Sequence, residues 1–490
     1  MKRIGMVLLI VCAGLFLGIQ VVGTDGNNSP PPGVTPTSVR STFACYPTCI
    51  LPNYIVAADL DADGWLDLAV SCFGSSSVWT YANRGAVLLP GVFLTCPVPC
   101  PFNLGLLGPA ALVSGTFAGI DGCSDLAVLS TITPGITGIN FFPPTTPPVV
   151  IAPPVTLAPM PPLGAPVHMA RGDFDHADGL SDLVVLDGGL TPRLVFVRSV
   201  GGPAVVALPA GNYTFVAVAD FDQNGVDDVA VANAAPGAGS VLVYYMGLAG
   251  ASVLAPLLGP NPAVLPMGVV LPTSLDTADF NNDGFPDIVA VGNASGSGFA
   301  EVFLNNVAAR GFAALGGVTP TWGLDTRFVE TLDADGNGWS DFVTANYASH
   351  TVTFFLTNPI GCVVPDNRST RPVVCLPKPN KVEIEVRPIF KYELECGFYP
   401  TCIAAGDFDR NGKQDIAVTL YSATAEICPQ NSSCLEVIFD VACGWQVDQS
   451  PHNKYDPQVE TQKCRVCKEP GCSGETPPAT GADTGGDSGK

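Results

Sequence analysis

The sequence predicts an all-β protein folded as a seven-bladed β-propeller, and three observations support this prediction. A short motif recurs seven times between about residues 41 and 445. Short apolar stretches with alternating character surround each copy, and no segment has the length and period of an amphipathic helix. Repeats of about 40–60 residues with about four strands each are typical of propeller blades, which pack around an axis and leave few edges open. We therefore expect one closed ring.

Each copy joins an apolar stretch, an Asp- and Gly-rich core and a β-rich run such as DLAV or DIAV. Four clear copies are YIVAADLDADGWLDLAV (54–70), FVAVADFDQNGVDDVAV (215–231), SLDTADFNNDGFPDIVAV (274–291) and CIAAGDFDRNGKQDIAV (402–418). Three divergent copies are FVETLDADGNGWSDFVTA (328–345), HMARGDFDHADGLSDLVVL (168–186) and LVSGTFAGIDGCSDLAVL (112–129). The second of these has one residue inserted inside the core, and the third has the same spacing but has lost two early acids. Seven units follow from this alignment.

A glycine occupies the same place in every unit and should turn the chain with positive φ. These glycines are Gly64, Gly122, Gly179, Gly225, Gly284, Gly338 and Gly412. A proline also recurs seven residues before the first core position, at Pro52, Pro109, Pro166, Pro272 and Pro400. Unit 7 has less sequence after its loop than most others, so residues near Thr42 to Ile50 are expected to supply a strand that closes the last blade.

The core of the first unit reads D-x-D-x-D-G-x-x-D and consists of Asp59, Asp61, Asp63, Gly64 and Asp67. Ca²⁺ takes six to eight oxygen ligands, and a loop with oxygen side chains at alternate positions can direct them at one centre. Without a metal, three or four neighbouring carboxylates would repel one another. Mg²⁺ is disfavoured because it requires tighter octahedral geometry and retains waters.

Five further units keep this ligand set, whereas unit 2 keeps only Asp121 and Asp125, with Thr116 and Ala118 where acids are expected. The predicted ligands of units 3 to 7 are Asp173, Asp175, Asp178 and Asp182; Asp220, Asp222, Asn224 and Asp228; Asp279, Asn281, Asp283 and Asp287; Asp333, Asp335, Asn337 and Asp341; and Asp407, Asp409, Asn411 and Asp415. In unit 3 the inserted residue, His176 or Ala177, should bulge out. The sequence predicts about six Ca²⁺ sites; the alternative is that the carboxylates only solvate turns or cap strands.

This pattern resembles the FG-GAP/VCBS repeat family, the calcium-loop blades of integrin α-subunit propellers and of many secreted propellers, including some fungal lectins. The resemblance covers about 400 residues. It implies a loop between the first two strands of each blade, a mainly structural calcium, and ligands that engage other loops or clefts between blades. The family has no single activity, so the resemblance leaves function open.

The ends of the chain lie outside the predicted ring of 41–445. Residues 1–23 fit a secretory signal peptide, with basic residues before an apolar run and cleavage after Gly23. A transmembrane helix is the alternative, although the run is barely long enough to span a bilayer. Residues 24–40 form a Pro-rich linker, and residues 446–490 form a Cys-rich segment with a disordered tail. The sequence therefore predicts a secreted, extracellular protein.

Cysteine content agrees with export. Of 17 cysteines, Cys12 lies in the predicted signal, and the even number left suits disulfides in an oxidising compartment, so free thiols are not expected. Proximity suggests, without fixing connectivity, the pairs Cys45 with Cys49, Cys96 with Cys100, Cys362 with Cys375, Cys396 with Cys402, and Cys428 with Cys434. Cys464, Cys467 and Cys472 could hold zinc, but disulfides are favoured after export. Glycosylation sequons lie at Asn27, Asn212, Asn293, Asn367 and Asn431.

Charge and motifs exclude several functions. The formal net charge of −22 argues against nucleic acid or an anionic membrane as a partner, since both need a basic surface. Prolines interrupt the later apolar stretches, so no membrane insertion is expected after signal removal. No G-x-S-x-G, P-loop or H-E-x-x-H motif is present. The histidines, at His168, His176, His350 and His452, lack zinc-type spacing. No catalytic group is visible.

Two features could contact a partner. Arg171, Gly172 and Asp173 spell the adhesive tripeptide RGD, but the register places Asp173 in a metal loop, which disfavours its presentation to a receptor. Aromatic residues could stack on sugars, although most fit a blade core better. These aromatics are Trp79, Tyr81, Tyr244, Tyr245, Trp322, Trp339 and Phe354.

The sequence favours a secreted, calcium-stabilised, non-catalytic module that binds an extracellular glycan or protein in adhesion. One alternative is a structural subunit that self-assembles into an extracellular filament or surface layer. Another is a propeller-type polysaccharide lyase or hydrolase, whose Tyr, Lys or Glu residues the ring would bring together.

Overall fold

A computed structural model describes the residues that form the ring. These residues are 42–83, 93–95, 102–103, 108–117, 122–139, 141, 161–175, 179–199, 202–249, 253–257, 261–268, 270–306, 310–359, 362–363, 374–375, 384–423 and 433–439. All belong to one compact unit, 1–442. The predicted signal peptide, linker and Cys-rich segment lie outside them. The described residues form strands and no helix, so they contain no helix that could cross a membrane.

Seven antiparallel sheets make up the ring. Strand β1 (Thr42–Pro47) belongs to the last sheet. Blade 1 contains β2 (Pro52–Ala58), β3 (Asp67–Cys72), β4 (Ser77–Asn83) and β5 (Phe93–Thr95), with β6 (Phe102–Asn103) also paired to β4. Blade 2 contains β7 (Pro109–Gly115), β8 (Asp125–Ser130) and β9 (Gly135–Ile139). Blade 3 contains β10 (Pro166–Gly172), β11 (Asp182–Asp187), β12 (Arg193–Val197) and β13 (Ala204–Ala207).

Blades 4 to 6 carry extra strands. Blade 4 contains β14 (Tyr213–Ala219), β15 (Asp228–Asn233), β16 (Gly239–Tyr244) and β19 (Ala263–Gly268), with a hairpin of β17 (Met246–Ala249) and β18 (Val253–Pro256). Blade 5 contains β20 (Leu271–Ala278), β21 (Asp287–Ala294), β22 (Ser297–Asn306) and β23 (Gly311–Ala314), with β24 (Thr319–Leu324) paired to β22. Blade 6 contains β25 (Thr326–Leu332), β26 (Asp341–Asn346), β27 (Thr351–Pro359) and β30 (Ile384–Glu393), with a ladder of β28 (Cys362–Val363) and β29 (Val374–Cys375).

Blade 7 closes the ring. It contains β31 (Gly397–Gly406), β32 (Asp415–Ala423) and β33 (Cys434–Phe439), and β1 completes it by pairing antiparallel with β33, from Thr42 opposite Phe439 to Pro47 opposite Cys434. This confirms the predicted closing strand. The first strands of the sheets contact one another in an unbroken cycle of β2, β7, β10, β14, β20, β25, β31 and β2. The predicted seven-bladed propeller is therefore confirmed.

A β-bulge near the start of every first strand explains the recurring proline. The strand register shifts between Pro52 and Tyr54 in β2, and the same shift occurs at the equivalent place in the other six blades. Proline has no N–H to donate to a ladder, so it is tolerated at a bulge or at the first residue of a strand. The bulge thus explains why a proline recurs at this position, which the sequence alone did not explain.

The core lies between the blades. Second strands such as β3, β8 and β11 are buried at every residue, as expected when both faces of a sheet are covered. The residue after the first core aspartate is also buried in each loop, and four of these residues are fully buried phenylalanines: Phe174, Phe221, Phe280 and Phe408. These rings anchor the start of each loop in the packing between blades.

The disulfides correct two predicted pairs. Cys45 is bonded to Cys396, and Cys49 is bonded to Cys72, so the pairs Cys45 with Cys49 and Cys396 with Cys402 are wrong. Sequence proximity predicted the wrong partners because the closed ring brings cysteines from distant segments together. Cys402 is a buried free thiol, against expectation.

The other predicted cysteine pairs are described only in part. Cys362 and Cys375 lie opposite each other in the β28–β29 ladder. Cys434 is disulfide-bonded, while its predicted partner Cys428 lies outside the described residues, as do Cys96 and Cys100.

Candidate metal centres

Each acidic core is a loop that joins the first strand of a blade to the second. We number its positions from 1 to 9, so that unit 1 runs from Asp59 at position 1 to Asp67 at position 9. Because every first strand runs the same way along the axis, the loops lie on one face of the ring. We call this face the loop face.

Three carboxylates converge in five of the seven loops. Their carboxylate oxygens lie within 4.8 Å of one another, and they come from positions 1, 3 and 9. The groups are Asp59, Asp61 and Asp67; Asp173, Asp175 and Asp182; Asp220, Asp222 and Asp228; Asp333, Asp335 and Asp341; and Asp407, Asp409 and Asp415. Each arrangement could hold a metal ion.

Loop 5 has the same backbone but a different third ligand. Position 3 is Asn281, a buried amide, so Asp279 and Asp287 are the carboxylates at positions 1 and 9. In loop 2 the described residues contain no such group, and Asp121 lies outside them. Asp178 of loop 3 also lies outside the described residues.

Position 5 is used differently from positions 1 and 3. In the five loops without an insertion its side-chain Oδ1 accepts the backbone N–H of position 7, at 2.7–3.0 Å. These residues are Asp63, Asn224, Asp283, Asn337 and Asn411. These predicted ligands therefore also hold a local turn, and Asp63 is not among the three converging carboxylates of loop 1.

Two left-handed residues shape the loop. The glycine at position 6 has φ between 72° and 94° in all seven units, which confirms the predicted turn. Its N–H donates to the position 1 carboxylate in five loops, at 2.8–2.9 Å. Position 4 is also left-handed in these loops, at Ala62, Gln223, Asn282, Gly336 and Arg410. Because such different residues occupy position 4, the left-handed conformation there could not be predicted from the sequence.

Position 9 has a structural role as well. Its Oδ2 accepts the N–H of position 2 in all seven loops, at 2.8–3.1 Å. In six of them Oδ1 accepts a second backbone N–H, from near the end of the third strand, at 2.6–3.1 Å. The alternative interpretation, that the carboxylates cap strands, is therefore correct for position 9, whether or not this carboxylate also holds a metal.

The electrostatics of the loops favour a bound cation. Burial, followed by neighbouring carboxylates, raises the pKa of Asp67 to about 7 and of Asp228 to about 8. Asp59 Oδ1 is buried without a hydrogen-bond partner. A hard cation would neutralise the crowded carboxylates and use this oxygen. In loop 4, Arg310 already forms an ion pair with Asp222 (Nη2–Oδ2 3.2 Å).

Neighbouring loops are linked around the loop face. At three junctions the N–H of position 8 donates to the position 1 carbonyl of the preceding loop, from Ser124 to Asp59, Ser181 to Thr116 and Asp227 to Asp173, at 2.8–3.0 Å.

At other junctions the position 4 side chain reaches the next loop. Gln223 Nε2 donates to Gly284 O (2.6 Å) and Asn282 Nδ2 to Gly338 O (3.3 Å). The Arg410 guanidinium lies 4.3 Å from the Trp65 ring centre. Between loops 6 and 7, position 4 is Gly336, which has no side chain to reach across.

The RGD tripeptide lies at the end of β10 and the start of loop 3. Arg171 and Gly172 end β10, and Arg171 Nη1 donates to Ser114 O (3.3 Å) in blade 2. The Asp173 N–H donates to Asp227 Oδ2 (2.7 Å) in blade 4, and its carboxylate belongs to the loop 3 group. The tripeptide thus forms part of a strand end and a candidate metal loop.

Most of the aromatic residues proposed for sugar stacking are core residues. Tyr81, Tyr244, Tyr245, Trp339 and Phe354 are buried, and Trp79 and Trp322 are half-buried. Exposed rings lie instead on the opposite face, where Phe398, Tyr399 and Tyr421 surround the His350 region. The residue types alone could not separate core rings from surface rings.

The fold and the loops define the class: a seven-bladed β-propeller with aspartate loops between the first two strands of its blades. Residues 271–306 match the FG-GAP repeat family. This segment includes the first three strands of blade 5, and the ring as a whole fits an FG-GAP repeat propeller.

Several solved structures have similar folds. BBS1N, crystallised in complex with ARL6DN, has a TM-score of 0.45 and 13% identity, over 81% of this chain and 97% of that chain. A protein from Lactobacillus plantarum has a TM-score of 0.43 and 13% identity, over 76% and 89%. Virginiamycin B lyase from Staphylococcus aureus has a TM-score of 0.40 and 9% identity, over 81% and 100%. These likenesses do not indicate what this chain binds. A comparison with curated proteins finds no match.

Proposed function

We propose that this protein is a secreted, Ca²⁺-stabilised β-propeller that acts as a non-catalytic binding and adhesion module for an extracellular glycan or protein. The convergence of three carboxylates in each of five loops carries the calcium part of the proposal, and the FG-GAP repeat propeller fold supports the binding part. Oxygen-only ligands suit the hard cation Ca²⁺ better than they suit soft, thiolate-binding metals.

Calcium would be held by positions 1, 3 and 9 of the loops of units 1, 3, 4, 6 and 7. Loop 5 would be a sixth site, with the Asn281 amide oxygen in place of one carboxylate. The ion would supply positive charge that fixes the end of the first strand relative to the second. Its role is therefore structural, and the ligand of the module binds elsewhere on the ring.

Export is supported by cysteine chemistry. The bonds Cys45–Cys396 and Cys49–Cys72 need an oxidising environment to persist. The predicted signal peptide at 1–23 would deliver the chain to such a compartment.

Calcium titration with thermal unfolding tests the proposal. A metal that binds only the folded protein adds about 2.7 kcal/mol per site at a concentration 100-fold above its dissociation constant. We expect about six ions per chain and a marked fall in melting temperature with EDTA. Asp59→Ala should remove one ion from the stoichiometry measured by calorimetry.

Asp125→Ala is the matched control, because unit 2 has Thr116 and Ala118 in place of the acids at positions 1 and 3, so the variant should leave the stoichiometry unchanged. A melting temperature that does not respond to EDTA would refute the structural role of calcium. Equal losses of calcium in the two variants would refute the assigned register.

A further inference from the structure

Four aromatic side chains divide the central channel of the ring. Tyr54, His168, Phe215 and Phe328 come from the first strands of blades 1, 3, 4 and 6. Their ring centres form a closed circuit, with neighbouring centres 3.7–6.0 Å apart. The same four residues line two cavities of about 190 Å³ and about 140 Å³. We call the larger cavity the axial pocket.

The axial pocket lies toward the loop face. Its lining includes Arg171, Thr277 and Glu330, which are within two residues of the ends of β10, β20 and β25, where the chain enters the aspartate loops. The smaller cavity is lined by Thr214, Thr273 and other residues near the starts of first strands, so it lies toward the opposite face. The aromatic circuit is the floor between them.

Polar groups converge above this floor from separate blades. Asp276 is fixed because its Oδ2 accepts both the N–H and the Oγ1–H of Thr331, each at 2.8 Å. Glu330 accepts only a long hydrogen bond from the N–H of Ala405 (3.4 Å). The Arg171 side chain is exposed at another side of the pocket. Aliphatic side chains such as Val113 complete the wall.

The floor also presents a hydrogen-bond donor. Burial lowers the pKa of His168 to about 3, so its ring is neutral. Its Nδ1 accepts the N–H of Val216 (3.4 Å), which leaves the proton on Nε2, and Nε2 donates to the Tyr54 hydroxyl. The Tyr54 hydroxyl therefore accepts from His168 and can donate its own proton to a ligand.

We infer that the axial pocket binds one neutral sugar residue of an extracellular glycan, an inference that rests on the proposed binding function. The pocket combines an aromatic floor, two carboxyl groups that accept from hydroxyls, and a guanidinium and a tyrosine hydroxyl that donate to ring or hydroxyl oxygens. A mainly apolar pocket with a few convergent polar groups is typical of small-ligand sites. Its volume suits a single ring rather than a longer oligosaccharide.

The charge of the pocket favours a neutral ligand. Burial raises the pKa values of Asp276 and Glu330, and the Asp276 carboxyl raises the pKa of Glu330 further. The raised pKa of Glu330 reduces the negative charge that this carboxyl places in the pocket, which favours a ligand without charge. An acidic sugar would instead lie against two carboxyl groups within a protein of net charge −22.

Binding of the methyl glycosides of glucose, galactose, mannose and N-acetylglucosamine to the full calcium-loaded chain tests the inference. We expect at least one to bind with one site per chain in saturation-transfer NMR and calorimetry. Glu330→Met, which keeps a similar side-chain length but removes both carboxyl oxygens, and Arg171→Ala, at an exposed residue, should each weaken binding at least tenfold with little change in melting temperature.

Tyr399→Ala is the control, because Tyr399 belongs to the exposed aromatic cluster on the opposite face. It should leave binding unchanged. Failure of all four glycosides to bind, or a loss caused by Tyr399→Ala but not by Glu330→Met, would overturn the inference. If the chain still binds calcium and a polymeric glycan or protein in that case, the axial pocket is wrong and the proposed function stands.

Discussion

Asp125 shows what the position 9 carboxylate does in a loop that has lost its early acids. Its Oδ2 accepts the N–H of Phe117 and its Oδ1 the N–H of Phe141, both at 3.1 Å. These are the same two contacts that position 9 makes in the loops with converging carboxylates. The carboxylate therefore joins three strands of blade 2 on its own.

Replacing Asp125 by alanine should lower the free energy of unfolding by about 2–4 kcal/mol, because two buried N–H groups lose an ionic acceptor. Denaturant unfolding in saturating calcium measures this loss. Asp63→Ala, at a position 5 turn, should cost less. A loss for Asp125→Ala no larger than that for Asp63→Ala would show that the two hydrogen bonds do not stabilise the blade.

Glu436 is a buried acid whose titration should be visible in stability. It accepts from the Tyr392 hydroxyl (3.1 Å) and from the N–H groups of Glu395 (3.0 Å) and Cys396 (2.9 Å). Burial raises its pKa from 4.5 to about 7. Since the folded pKa is above the unfolded value, this group's contribution to stability is present below about pH 4.5 and is lost as the pH rises through about 7.

Glu436→Gln should therefore remove part of the pH dependence. Between pH 4.5 and 8, the free energy of unfolding of the unmodified protein should fall relative to that of Glu436→Gln by about 3 kcal/mol. Urea unfolding of both proteins across this range measures the difference. Parallel curves would mean that Glu436 has a normal pKa in the folded protein.

At the scale of the loop, spacing revealed the fold but not every side-chain role. The glycines at position 6 were predictable because φ near 80° excludes most other residues. Position 4 was not, since residues as different as Ala62 and Arg410 occupy it. The sequence also did not reveal that Asp63 accepts a backbone N–H in a turn, because an aspartate carboxylate can bind a metal or accept an N–H.

The links between loops should couple neighbouring blades. Asn282→Gly keeps the left-handed conformation but removes the amide that reaches Gly338 O. In a double-mutant cycle with Asp333→Ala in loop 6, we expect a coupling of about 0.5–1 kcal/mol in the free energy of unfolding. The same cycle with the distant Asp59→Ala should be additive. Additivity in both cycles would show that the hydrogen bond from Asn282 does not couple the stabilities of loops 5 and 6.

At the scale of the whole molecule, the order of strands and the closing strand followed from the repeat, whereas the disulfides did not. A repeat specifies what each unit looks like, and four-stranded units of about 40–60 residues are typical of blades that pack around an axis into a ring. Cys45 and Cys396 belong to the closure, where the two ends of the ring meet. Their pairing depends on that global geometry, which local spacing cannot show.

The Cys45–Cys396 bond should hold the ring closed. It spans 351 residues, so it removes much entropy from the unfolded chain, and its loss should cost about 2–5 kcal/mol. Hydrogen exchange of a Cys45→Ala, Cys396→Ala double variant should show faster exchange in β1 and β33 than in β3 or β11. Removing Cys49–Cys72, which spans 23 residues, should cost less. Unchanged exchange in β1 and β33 would show that strand pairing alone keeps the ring shut.

The pairing of Thr42 with Phe439 also has a consequence for how the chain matures. Strand β1 has no partner until β33 has been synthesised, so the ring cannot close on an incomplete chain. Contacts between such distant residues also slow folding. A C-terminal truncation before β33 should therefore leave an open sheet edge prone to aggregation.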